Sequence, residues 1–226
     1  MEFRLLGPVE AWAAGRLIEL GPPRQRGVFA ALAVDAPRLV PLETIMDRIW
    51  GERPPATARD TLYVYIARIR RLLAEAAVDG SESTQGVARS AGGYVLDVPP
   101  EQIDLHRFSH LVGQAREPAC PAPKRAALLR EALRLHRGVP LAGIPGDWAE
   151  RVREVWTRHH LDAVTAWGEA ELRLGNGPDV IDRLTGLVAD NPLAEPVVAV
   201  LMQALYANGR GADALNCYVD LRTRLV

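Results

Sequence analysis

Apolar and polar positions along the chain follow two successive regimes. Over the first twenty residues they alternate in the short runs Phe3 to Leu6, Glu10 to Ala13 and Arg16 to Leu20, broken at Gly7-Pro8 and Gly15. Period-two runs punctuated by glycine and proline predict a small antiparallel sheet. After Gly21-Pro22-Pro23 the period becomes helical, with Val28, Phe29, Ala31 and Leu32 on one face and Pro37 as the stop. A second helix is expected from Leu42 to Trp50, with Ile45, Met46 and Ile49 inward and Gly51 closing it. A third runs from about Thr57 to Leu73 or slightly beyond. There Leu62, Ile66, Ile69 and Leu73 fall on one stripe, with Ala58 a turn earlier. Val87 to Ser90 and Tyr94 to Val98, separated by Gly92-Gly93, then predict a hairpin. Three helices between a leading sheet and a trailing hairpin make a winged helix-turn-helix domain, assigned to residues 1–98.

From Asp104 onward the pattern is helical throughout. Expected helices run from Asp104 to Arg116, Pro123 to Arg137, Asp147 to Leu174, Asp179 to Asp190, Ala194 to Asn208 and Ala212 to the end. A shift of 34 residues superposes Ala170 on Ala204, Gly175 on Gly209, Gly177 on Gly211, Ile181 on Leu215, Leu184 on Tyr218 and Leu187 on Leu221. That is the period of a tetratricopeptide repeat, in which helix pairs turn at glycine and bury their apolar faces by stacking. The fold class is therefore an α+β winged helix-turn-helix domain followed by an all-α tetratricopeptide-like domain, residues 99–226. The repeat is still running at Arg224-Leu225-Val226, as expected of a segment cut from a longer chain.

Composition narrows the function. With 48% hydrophobic and 24% charged residues the chain is that of an ordinary globular protein. The longest apolar stretch, Val197 to Ala207, is too short to cross a bilayer, and no signal peptide is evident, so no membrane association and a cytoplasmic location are expected. Net charge is −1, and basic and acidic residues number twelve each up to Val98. Any case for nucleic acid must be local. Lys124 is the only lysine, which suggests a GC-rich genome and weakens the meaning of any single arginine.

The local case lies on the third helix. Opposite the Leu62 stripe stand Asp60, Val64, Ala67 and Arg71, flanked by Thr61, Tyr63, Arg68 and Arg70. Val64 and Ala67 gain nothing from water but can touch thymine methyl groups in a major groove, where Arg68 and Arg71 reach guanine edges or phosphates. Tyr63 can donate to a backbone oxygen. Residues 53–73 hold five arginines and one acid. Arg89, near the hairpin tip, suits an adjacent minor groove, and Arg24 and Arg26 open the first helix where amides can hold a phosphate. A solvated basic face, or a winged domain that binds protein while the repeats act as an adaptor, fits the same residues. Tyr94 reads as a hairpin-packing aromatic, and the five tryptophans as core and seam residues.

No enzyme is expected. His106 and His110 lie one turn apart without a third metal ligand, Cys120 and Cys217 lack a paired spacing, and Gly175-Asn176-Gly177 is not a dinucleotide fingerprint. Neither metal nor cofactor is called for.

The whole chain resembles the Streptomyces antibiotic regulatory protein family of activators. The resemblance rests on Leu5-Leu6-Gly7-Pro8-Val9, Pro23-Arg24-Gln25-Arg26, Ile49-Trp50-Gly51-Glu52-Arg53-Pro54-Pro55, Tyr63 through Leu73, and Gly92-Gly93-Tyr94. In the second half it continues through Leu129 to Gly138 and Met202 to Arg210. Ala67 stands where serine is more usual, and Ala91 where proline is. The resemblance implies an OmpR-type winged helix that binds direct repeats of double-stranded promoter DNA near the −35 element, as a dimer or side-by-side protomers. It further implies a bacterial transcriptional activation domain that recruits RNA polymerase holoenzyme, sigma factor and core subunits included, at secondary-metabolite (antibiotic) biosynthesis genes. Within it the helix from Thr57 to Leu73 is the recognition helix, the Gly92-Gly93 hairpin the wing, and Gly51, Glu52 and Arg53 a polymerase-facing loop.

Overall fold

A computed structural model describes residues 1–76 and 86–225. The chain forms two compact units that interleave along the sequence, one of residues 1–108 and 135–157, the other of residues 109–134 and 158–226.

The first unit opens with strands β1 (Glu2–Arg4), β2 (Glu10–Ala13) and β3 (Arg16–Ile18), antiparallel in that order with Phe3 opposite Ala11 and Ala11 opposite Ile18. Helix α1 (Pro23–Asp35) starts on proline, whose missing N–H is no loss in a first turn. Every residue from Val28 to Ala33 is buried, so α1 is the central post of the unit rather than a half-exposed helix. Helix α2 (Leu42–Trp50) ends where Gly51, at φ +66°, donates its N–H to the Asp47 carbonyl at 2.8 Å. Helix α3 (Ala58–Ala76) buries Ala58, Leu62, Ile66, Ile69 and Leu73, the expected stripe.

A two-residue strand, β4 (Val40–Pro41), joins the hairpin of β5 (Gly86–Ser90) and β6 (Gly93–Asp97) into a sheet of order β4-β6-β5. Such a strand is too short to show periodicity, and only pairing reveals it. Gly92 turns the hairpin at φ +82°. Gly93 is required for another reason, because a Cβ there would lie 2.2 Å from the Val40 carbonyl oxygen.

The first unit is closed by residues distant in sequence. Helix α4 (Asp104–Arg116) begins with a buried carboxylate, and Asp104 accepts the N–H groups of Leu5 and Leu6 at 2.8 and 2.9 Å. Helix α5 (Ala122–Arg134) stops three residues before the expected end. There the Arg137 N–H turns to the Leu6 carbonyl at 2.7 Å, and the N–H groups of Leu141 and Ala142 follow to Leu5 and Gly7. The Arg137 guanidinium lies 3.0 Å from Glu10 and 3.5 Å from Asp104. Burial outweighs these partners and pushes the Asp104 carboxyl up to about 6.

The second unit takes the remainder of α4, all of α5 and most of α6 (Asp147–Arg173), followed by α7 (Gly177–Asp190), α8 (Glu195–Ala207) and α9 (Gly211–Leu225). The repeat is visible in its backbone hydrogen bonds. Gly175 to Leu172, Asn176 to Glu171 and Val180 to Asn176 recur 34 residues later as Gly209 to Tyr206, Arg210 to Leu205 and Ala214 to Arg210. Gly175 and Gly209 both turn in the left-handed region, at φ +83° and +75°. Gly168 admits α8 closely, since a Cβ there would meet Val200 Cγ1 at 2.6 Å. Glu171, fully buried, accepts from the Asn176 amide at 2.6 Å and pairs with Arg130. Of the five tryptophans, Trp167 alone is buried; the others are half-buried.

Candidate nucleic-acid interface

Helix α3 carries its two faces as its sequence requires. With the Leu62 stripe in the core, Tyr63, Val64, Ala67, Arg68 and Arg71 are exposed and Thr61 is half-buried. Val64 keeps 47% of its surface in water, next to Tyr63 at 38%, so the arginines of this face are interleaved with apolar and aromatic surface. Arg71 makes a 3.5 Å pair with Glu75 one turn on, both largely exposed and therefore weakly held. Arg68 has no ion-pair partner among the described residues.

Arg70 is used differently from its neighbours. Its Nε donates to the Val87 carbonyl at 2.6 Å, and its guanidinium lies 5.5 Å from the centre of the Tyr94 ring. It fastens the wing to α3, and Tyr94, buried, is the hairpin-packing aromatic its position suggested. Arg89 is exposed on β5 opposite Tyr94.

Between α3, the start of α2 and the wing runs a groove of about 320 Å³. Tyr63, Arg59 and Arg89 line it together with Gly92 and Gly93. This brings Tyr63 of the helix and Arg89 of the wing into one feature, without Thr61, Val64, Ala67, Arg68 or Arg71, and adds Arg59, which the sequence reading passed over and which pairs there with Glu43. Its signal was available, because Arg59 lies one turn before Tyr63 on the outward side of α3.

Arg24 and the loop residues Gly51, Glu52 and Arg53 line a different groove, of about 630 Å³, with Trp50 and Trp148. Arg24 thus lines one groove with the loop, and Tyr63 and Arg89 line another. Arg26 is half-buried with its Nε buried and unbonded, while Gln25 between them is buried and donates to the Leu20 carbonyl at 2.8 Å. His106 is held to the Ala33 carbonyl at 3.0 Å, and His110 to Gln114 at 3.0 Å. Among the described residues no cluster of three His, Cys, Asp or Glu could hold a metal ion, and no helix is long and apolar enough to cross a membrane.

Two family models match the chain. The one described as "Transcriptional regulatory protein, C terminal" covers residues 15–96, and "Bacterial transcriptional activator domain" covers residues 103–226. Among curated proteins the chain is 33% identical over its full length to regulatory protein DnrI of Streptomyces peucetius, spanning 85% of that protein. It is 36% identical to transcriptional regulator RedD of Streptomyces coelicolor, spanning 65% of it. It is 33% identical to regulatory protein AfsR of Streptomyces coelicolor, but spans only 22% of AfsR. Among solved structures, Mycobacterium tuberculosis EmbR in complex with a low affinity phosphopeptide superposes with a TM-score of 0.89 at 30% identity, over 99% of this chain and 59% of that one.

Proposed function

The chain belongs to the Streptomyces antibiotic regulatory protein family of bacterial transcriptional activators, and we propose that it reads promoter DNA with α3 in the major groove. Residues 1–98 form the DNA-reading part and 99–226 the activation part. Val64 and Ala67 take thymine methyls, Arg68 and Arg71 take guanine edges or phosphates, and Thr61 and Tyr63 hold the strand beside them. Arg89, together with Arg59 along the same groove, tracks the backbone next to the wing. Arg70 positions the wing rather than touching bases. The observation that supports this most is Val64, exposed between arginines on a helix whose other face is fully buried.

Two protomers sit side by side on direct repeats near the −35 element. The loop of Gly51, Glu52 and Arg53, beside Arg24, meets RNA polymerase holoenzyme through its sigma factor and core subunits, and the genes served are those of antibiotic-type secondary metabolism. The test begins with duplexes selected from a random pool by the full chain. Replacing Arg68 and Arg71 by alanine should weaken binding to the selected site by about 1 to 3 kcal/mol per lost base contact, with the melting temperature unmoved. Unchanged affinity for that site in the double variant would refute the groove assignment.

A further inference from the structure

A second arginine cluster lies in the unit of residues 109–134 and 158–226. Helix α6 presents Trp167 and Glu171 one turn apart. Glu171 pairs with Arg130 of α5, and the Trp167 ring lies under the Arg183 guanidinium of α7 at 5.2 Å. Two successive turns of one helix thus hold arginines from the helices on either side. Arg134 follows Arg130 by one turn on α5, on the same side of that helix.

Arg130 has a carboxylate of its own, but Arg134 and Arg183 have none within ion-pair distance among the described residues. Burial, and then repulsion by Arg134 and Arg130, holds the Arg183 guanidinium below its ordinary range. The indole N–H of Trp167 is buried without an acceptor. Three arginines gathered about one carboxylate repel one another and weaken the fold unless something further and anionic joins them.

We propose that Arg183, seated on the Trp167 ring, and Arg134, beside the Arg130–Glu171 pair, form a docking site for an acidic protein segment, a run of aspartate or glutamate side chains. A guanidinium lying on an indole ring loses part of its hydration and offers its N–H edge as a fork matched to a carboxylate. Arg130 already holds a carboxylate in that cluster. The charges are gathered at one point, whereas a nucleic-acid backbone calls for cations strung along its track, as on α3. The inference does not depend on how α3 engages DNA.

The experiment uses the full chain and a short labelled peptide of alternating aspartate and glutamate, followed by fluorescence anisotropy at low salt. Wild-type protein should bind the peptide. The Arg134→Gln/Arg183→Gln variant should bind it about tenfold more weakly or worse, with a melting temperature equal to wild type or higher because a repulsion is removed. The Arg68→Gln/Arg71→Gln variant should bind it as wild type does. Absence of wild-type binding, or equal losses in both variants, would overturn the proposal. So would a loss by Arg134→Gln/Arg183→Gln of affinity for random-sequence duplex in place of the peptide, which would make the cluster a phosphate site.

Discussion

Two regions of the first unit handle arginine in opposite ways. Around Asp104, the Arg137 guanidinium lies against Asp104 and Glu10 while its backbone N–H serves the Leu6 carbonyl, so the residue ties three chain segments together. On the outer face of α3, Arg68 and Arg71 extend into solvent with at most one weakly held neighbour beside exposed Val64. In a chain with one lysine among 27 basic residues, abundance of arginine says little. What separates the two regions is whether the fold consumes the hydrogen-bonding and charge of each side chain. Where it does, loss should be read in stability; where it does not, in binding.

The largest effect should come from the closing knot. Asp104→Ala leaves two buried N–H groups without their acceptor and takes one of two carboxylates from beside Arg137, and urea unfolding should show a loss of about 3 to 5 kcal/mol. DNA affinity per folded molecule should stay the same; a specific loss of affinity would blur the contrast with α3. The same group sets a pH dependence. Its folded pKa of about 6 lies above the ordinary 3.8, so the folded state holds the proton more tightly. Its contribution is therefore fully present below about pH 4 and lost as pH rises through about 6. Relative to Asp104→Asn, wild-type stability should fall across that window, and a flat difference would show that the carboxyl is not desolvated as described.

Gly93→Ala comes next. The added Cβ must force β6 away from the Val40 carbonyl, costing about 1 to 3 kcal/mol by thermal melting. It should weaken DNA binding as well, because Gly93 is one wall of the groove that holds Tyr63 and Arg89. The smallest effect belongs to Arg71→Gln. Its exposed pair with Glu75 contributes little, so stability should move by less than about 0.5 kcal/mol. The slope of log K against log salt should nonetheless drop by about 1 if Arg71 meets a phosphate. An unchanged slope together with unchanged sequence preference would remove Arg71 from the interface.

Most of the elements are legible in the sequence alone. Helix α2 and helix α4 fall on their expected bounds, and the stripe from Ala58 to Leu73 is buried as its spacing required. The 34-residue shift in residues reappears as the same shift in backbone hydrogen bonds around Gly175 and Gly209. Periodicity carries such features because each needs only neighbours within a turn or a repeat. Three things were not legible: β4, the early end of α5 at Arg134, and the anchoring of Arg70 on Val87 and Tyr94. Each depends on a partner far along the chain that no local pattern names. The outward face of α3 was readable as a face, but its division into Arg70, which is consumed, and Arg68 and Arg71, which are not, was invisible at the level of helical angle.

By itself the amino-acid order determined that α3 has one apolar and one arginine-bearing side, and that the second half repeats as helical hairpins. Side-chain spacing against a fixed helical period suffices for that. Only the tertiary structure decided that residues 135–157 return to the first unit and that Asp104 and Arg137 close it. It also decided that Trp167 and Glu171 gather arginines from two other helices. Those outcomes depend on burial and on charges meeting across long loops, energies that exist only once the chain has brought distant residues together.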